Sequence, residues 1–308
     1  MEFLIGAGGW AYFTVPGMHP LQAYSKAFNF VEINSTFYEI PPLKVVASWR
    51  RMVPEKFVFS VRAHKSITHQ PEPANAAYEN FERIKRICRE LRAEVMHMQI
   101  PPQLAAKANL AEKLKDFLAS ANLDGIRIAL ELRGVPAGKI PEELVKVMVD
   151  NNVIHCVDIS RGEEPAYKSD ILYSRLFGKG FHNIYQPTDE ELLQIYERAT
   201  RSGCKKAMLC FHFVKMYKDA ARLKVFTEKG FFPKVTRSTG LESLREVLME
   251  DAKFPASKEQ LIKNQGWKVF DLTDERRVRA EQILQLLPNK VYRSLAEVME
   301  ELKGVKFG

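Results

Sequence analysis

Short apolar runs rich in β-branched and aromatic residues recur through the first three-quarters of the chain, at 3–6, 30–37, 57–63, 94–100, 126–132, 153–159, 171–177 and 207–213. Longer stretches with helical spacing separate most of them, such as NFERIKRICREL at 80–91 and DEELLQIYERAT at 189–200. Eight strands alternating with helices predict an α/β fold whose parallel sheet closes into a TIM-like (β/α)8 barrel. No GxGxxG follows an early strand, which argues against a dinucleotide-binding half.

After residue 235 the pattern changes to helices alone. Ser257 and Gln260 form an S-x-x-Q capping box just beyond Pro255, and Ser294 with Glu297 forms an S-x-x-E box entering SLAEVMEELKG, where Gly304 is the expected stop. Thr273 is the expected cap of a helix between them. The reading is a barrel over 1–235 followed by a small all-α C-terminal module over 236–308, a size that favours docking on a larger body.

Within the strands, polar side chains keep to one parity. Alternate positions of a strand face opposite ways, and Glu32 and Asn34 share one parity of the second run against Val31 and Ile33. The same split isolates Arg62 and His64, His97 and Gln99, Glu131 and Arg133, Asp158, Tyr173 and Arg175, and Cys210 and His212. In a barrel the apolar parity packs outward on the helices, and the polar parity points inward toward the C-terminal strand ends, where such folds build their active sites. Barrel interiors are usually aliphatic, so charge on most strands predicts a pocket rather than a plain core. A buried network kept for structure alone is the competing reading, and desolvation makes it costly.

Composition narrows the class without naming a chemistry. The chain has 308 residues, 46% hydrophobic and 27% charged, which excludes a mostly disordered, collagen-like or disulfide-scaffold protein. No apolar run approaches the ~18 residues of a membrane span, and the MEFLIGAGGW start lacks the basic and apolar regions of a secretory signal. Four cysteines without CxxC spacing read as reduced core residues, and the expectation is a cytoplasmic protein with no membrane partner. The net charge of +8 is concentrated between 201 and 237, where ten Lys/Arg face two acids. Such a stretch suits an anionic substrate or nucleic acid, or is simply a solvated basic face.

Arg62, Arg133 and Arg175 suit a phosphate or carboxylate, because a guanidinium fork binds planar oxyanions. Lys179, in Gly178-Lys179-Gly180 after the seventh strand, sits where barrels often cradle phosphate. Three carboxylates with His64, His97 and His212 have the donor types of a divalent zinc, manganese or iron site, although no HExxH or His-x-His spacing supports one. No GxSxG or other nucleophilic serine motif occurs. The aromatic clusters around Trp10 and Tyr38 could stack on a flat ligand or cap the barrel core.

At these residues the chain resembles the YecE-like family, catalogued as domain of unknown function seventy-two. IGAGGWAY, FVEINSTFYEIP, FVFSVRAHKSITH, MQIPPQL, ALELR, VDIS and YSRLFG match in order over residues 1 to about 230. The resemblance implies a TIM-like barrel with no established general activity, similar in fold to metal-dependent barrel phosphodiesterases and sugar isomerases. It singles out Gly9, Trp10, Glu32, Asn34, Thr36, Phe37, Tyr38, Thr68, His69, Gln99, Glu131, Arg133, Asp158 and Arg175. The chain departs from the family pattern at Phe177, at His212 and in the loop after Arg133, which alters the polar rim. The tail, through FPASKEQLIKN and LLPNKVYRSLAEVMEEL, is similar to a second small helical family, domain of unknown function twenty-seven ninety-five.

Together these readings lead to a hydrolase acting on a phosphate-containing substrate. Glu131 and Asp158 are expected as metal ligands or general base, with Glu32 the third carboxylate and His64 or His69 the acid/base group. Trp10, Asn34, Tyr38, Arg62, Gln99, Arg133, Arg175, Lys179 and His212 are the expected substrate contacts. If a divalent metal is held, the candidate ligands are Glu131, Asp158 and His212. The alternatives are a non-catalytic nucleic-acid-binding protein and a metal-free sugar or sugar-phosphate isomerase or lyase. The C-terminal module is read as a site for a protein partner.

Overall fold

In the computed structural model, residues 1–70 and 75–305 are described. Eight parallel strands, β1 (Glu2–Ala7), β2 (Phe30–Ile33), β3 (Val58–Arg62), β4 (Val95–Ile100), β5 (Arg127–Leu132), β6 (Ile154–His155), β7 (Ile171–Leu176) and β8 (Lys206–Phe211), lie in the order β6-β5-β4-β3-β2-β1-β8-β7. A single parallel bridge from Val157 to Ser174 joins the two ends, so the sheet closes into the expected barrel. The helices between the strands show the amphipathic spacing read from the sequence. The stretch at 80–91 belongs to a helix over Asn75–Leu91. That at 189–200 begins with Asp189, Glu190 and Glu191 and ends with Arg198 and Arg201, matching the helix dipole at both ends.

Register stacks the interior in layers. Leu4, Phe30, Val95, Ala129, Ile154, Ile171 and Met208 belong to one buried apolar cluster inside the barrel. One or two pairs further along the strands, Glu32 lies beside Ser60, Arg62 beside His97, Gln99 beside Glu131 and Arg175 beside Cys210. The floor is therefore apolar and the C-terminal half polar, because each strand keeps its parity while its residue types change. The outward parity, including Val31, Ile33, Val61, Met96, Leu130 and Leu209, is buried beneath the helices.

Two strands stop earlier than the apolar runs suggest. β2 ends at Ile33 because residues 35–37 wind into a 3-10 turn, pinned by Thr36 Oγ1 donating to the carbonyls of Ile33 (2.9 Å) and Arg62 (2.6 Å). β6 ends at His155, since the Asp158 carboxylate accepts the Ser160 N–H at 3.0 Å and turns the chain into a second 3-10 segment.

The chain divides into two compact units, one of 1–177 with 195–212 and one of 178–194 with 213–308. Within the second, Leu244, Leu248, Leu261, Phe270, Tyr292 and Val298 form an apolar core. The Ser257–Gln260 capping box is complete, and Ser294 caps the Leu295–Leu302 helix, which ends two residues before Gly304. Reading the tail as helices alone omits two antiparallel ribbons, Val269–Asp271 with Arg277–Arg279 and Ala256–Ser257 with Val291–Tyr292. Strands of two or three residues are too short to leave a period-two signal. Thr273 caps the turn between the first ribbon's strands instead of a helix, its hydroxyl accepting the N–H groups of Glu275 and Arg276. Among the described residues, no helix is long and apolar enough to cross a membrane.

Candidate functional site

The inward parity assembles a charged cluster in the C-terminal half of the barrel. At its centre Arg175, only 3% exposed, bridges two carboxylates. Its Nε donates to Glu32 Oε1 at 3.1 Å, its Nη1 to Glu131 Oε2 at 2.8 Å and its Nη2 to Asn34 Oδ1 at 3.2 Å. Tyr173 donates its hydroxyl to Glu32 Oε2 at 2.7 Å and also lies 2.7 Å from Ser60 Oγ. Glu131 further accepts from His97 Nε2 at 3.0 Å, Gln99 Nε2 at 3.0 Å and Arg133 Nε at 2.6 Å. Burial by itself raises a carboxyl pKa, yet Arg175 and the imidazole contacts outweigh it, and both glutamates are held well below the usual carboxylate range.

The histidines take the opposite role. Burial and the Arg175 charge lower the pKa of His97, and the same pair of causes lowers that of His212 to about 4. Both are therefore neutral near pH 7. His212 Nε2 lies 3.3 Å from Glu32 Oε1, and its ring stacks on Phe177 with centroids 4.7 Å apart. Its Nδ1 faces Gly8, where a Cβ would come within 2.6 Å of that nitrogen and 2.3 Å of Cε1. Only glycine lets the β1 end pass this close to the imidazole.

Arg62 has a different environment from the other guanidiniums. Its hydrogen-bond acceptors, Asn34 Oδ1 at 3.3 Å and Gln99 Oε1, are neutral, and its guanidinium sits 3.9 Å over the face of Phe37. Its Nε is buried and makes no hydrogen bond among the described residues. With the imidazoles neutral, Arg62, Arg133 and Arg175 face Glu32 and Glu131, so three cations meet two anions and one positive charge is left over. Arg133, 44% exposed, brings this charged cluster to solvent.

Other expected residues fall around this cluster or away from it. His69 bonds Thr68 Oγ1 at 2.8 Å, and its pKa is lowered by burial and by the charges of Arg62 and Arg133, which puts it on the cationic side of the mouth. His64 spends Nδ1 capping the turn at Lys65–Thr68 through the Ser66 N–H at 3.3 Å. Trp10 packs edge-on against Trp49, and Tyr38, 68% exposed, lies edge-on to Phe37. Asp158 makes no direct bond to the cluster. It accepts the Phe177 N–H at 2.9 Å and pairs with Arg161 at 3.3 Å, and burial pushes its pKa up to about 6. Lys179 is exposed and belongs to the second unit.

Among the described residues, two donor groups come close enough for a metal: Glu32 with Cys210 and His212, and His97 with Glu131 and Cys156, the ligand atoms of each lying within 4.8 Å. The expected trio of Glu131, Asp158 and His212 is not brought together. Neither group fits a cation well. Arg175 already occupies the carboxylate of each group, and its charge stands where a cation would sit. The basic stretch at 201–237 is largely neutralised, mostly by acids from outside it. Lys206, Lys215, Lys218, Arg222, Lys224 and Lys234 are each paired with an acid.

Eight parallel strands with a polar mouth at their C-terminal ends make the first unit a TIM barrel. The model of the family described as protein of unknown function DUF72 matches residues 4–228, and the chain belongs to that family. A DUF72 family protein of Thermotoga maritima aligns with TM-score 0.59 at 19% identity, over 74% of this chain and 100% of that one. One from Enterococcus faecalis aligns at 0.57 and 18%, over 74% of this chain and 97% of that one. A D-tagatose 3-epimerase-like protein aligns at 0.50 and 18%, over 74% of this chain and 96% of that one. In sequence, the UPF0759 protein YunF of Bacillus subtilis is 38% identical over 68 residues, which is 21% of this chain and 24% of YunF. At these identities the structural likenesses establish the fold.

Proposed function

We propose that the barrel mouth is the active site of an enzyme that hydrolyses a small phosphate ester by acid–base chemistry without a bound metal. The observation that carries this reading is Arg62, a half-buried guanidinium with neutral acceptors only, in a cluster holding one surplus positive charge. An oxyanion would satisfy that charge, and Arg133 would complete a two-guanidinium clamp on the phosphoryl oxygens. His212 serves as the base. Glu32 orients its Nε2–H, and the Nδ1 lone pair takes a proton from the attacking water; as the new P–O bond forms the ester P–O bond breaks, and the imidazolium returns that proton to the leaving alkoxide, giving the alcohol and inorganic phosphate. Glu131 and Asp158 then become positioning residues: Glu131 sets Gln99 and Arg133, while Asp158 sets the β7 end through Phe177.

The test is release of inorganic phosphate from p-nitrophenyl phosphate and a panel of sugar phosphates, with a chelator present throughout. His212→Asn is expected to lower kcat by a factor of ~100 or more. Arg62→Gln is expected to raise KM by ~10-fold or more while the circular dichroism spectrum stays unchanged. Turnover that survives His212→Asn, or that stops when metal is stripped, contradicts the mechanism.

A further inference from the structure

His97 is fully buried and lies between the two carboxylates of the cluster, yet it satisfies only one of them. Its Nε2 bonds Glu131 Oε2 at 3.0 Å, whereas Nδ1 stands 3.8 Å from Glu32 Oε2 and has no hydrogen-bond partner among the described residues. In the neutral imidazole that donates to Glu131, Nδ1 carries a lone pair turned toward an anionic oxygen. Only the imidazolium would have a donor facing each carboxylate. A buried nitrogen left in this position is costly, and a proton added there would be shared by both carboxylates.

We infer that the site accommodates a dianionic phosphate group as well as a monoanion, because His97 takes up one proton at Nδ1 as the dianion binds. The inference deepens the proposed function and rests on its anion site. Three guanidiniums and two carboxylates leave one positive charge, which a monoanion cancels. A dianion leaves one negative charge in excess, and an imidazolium shared by Glu32 and Glu131 removes it. The groups that face His97 set its state: Glu32 on β2, Glu131 on β5, Cys156 after β6, and Arg175 with the stacked ring of Tyr173 on β7. Arg175 keeps the ring neutral while the mouth is empty, and an anion beside the guanidiniums offsets that repulsion. His212 is the less suitable acceptor, because it lies against Glu32 alone and a proton added to its Nδ1 would be shared by neither carboxylate.

Sulfate and methanesulfonate test this, since both present tetrahedral sulfonyl oxygens and neither titrates near pH 7. Each is titrated into the full-length protein by calorimetry in Tris, triethanolamine and imidazole buffers, whose ionisation enthalpies differ. Sulfate should bind with uptake of about one proton and lose about tenfold in affinity per pH unit above neutrality. Methanesulfonate should bind with no uptake and little pH dependence. His97→Asn should bind sulfate with the uptake abolished, and the wild-type buffer series decides the matter if that variant does not fold. Sulfate binding without uptake, or uptake that survives His97→Asn and disappears in His212→Asn, overturns the assignment. If neither anion binds, or if Arg62→Gln leaves binding unchanged, the anion site itself is wrong and the inference falls with it.

Discussion

Arg175 is enclosed by groups drawn from β2, β5 and β7, and its charge is balanced by Glu32 and Glu131 rather than by solvent. Removing one partner leaves the others uncompensated in a low-dielectric interior. Glu32→Gln should therefore destabilise the barrel by ~3–5 kcal/mol, as expected for breaking a buried ion pair, and chemical denaturation would measure it. A loss under ~1 kcal/mol would mean that solvent reaches the pair. Most of these residues are legible from strand parity, which by itself places Glu32, Arg62, His97, Gln99, Glu131 and Arg175 on one face. Parity fails where a strand ends. Asp158 continues the polar parity of the 153–159 run, but β6 stops at His155 and the carboxylate turns to the Ser160 and Phe177 N–H groups. Ser60 shows the opposite failure: it lies two residues before Arg62 on the inward parity, but a lone serine carries no charge to draw attention.

At the level of elements, the mouth depends on how closely the end of β1 approaches β2 and β8. Gly8→Ala would drive its methyl into His212 and into Asn34 Nδ2, which a Cβ would meet at 2.6 Å. Both are short side chains on packed elements, so the imidazole has to leave its place against Glu32. The expected outcome is loss of at least ~1 kcal/mol of stability, with the His212 ring resonances shifted in NMR spectra. Unchanged resonances would show that the loop, and not the imidazole, yields. The alternation of strands and helices is readable because each apolar run is long enough to show its period. The two ribbons of the second unit and the turn capped by Thr273 are not, since their order comes from pairing and side-chain bonds rather than from periodicity.

For the whole molecule, the buried titratable groups of the first unit set its response to acid. His155 and His212 are lowered to about 4, and His97 is lowered as well, so the unfolded chain binds these protons first. Their contribution is fully present above the unfolded histidine value of ~6.5 and is lost as pH falls through the folded values. Asp158, raised to about 6, acts the other way: it adds stability at low pH and loses it as pH rises through 6. Three groups against one predict a net decline from about pH 6.5 downward, steepening below ~4.3 as Glu32 and Glu131 begin to lose their depressed-pKa contribution. Hydrogen exchange of the barrel strands across this range would follow it, and stability that rises on acidification would contradict the neutral state of the three histidines. The concentration of charge at 201–237 is visible in the sequence, but its neutralisation is not, because partners such as Glu94, Asp189 and Glu250 come from distant segments. The central claim is that the surplus cation of the barrel mouth is an oxyanion site, and the anomalous signal of tungstate in crystals of the protein tests it most directly. The account predicts a tungsten peak within hydrogen-bonding distance of the Arg62 and Arg133 guanidiniums, absent in Arg62→Gln crystals; a mouth that stays empty while tungstate settles elsewhere would contradict it.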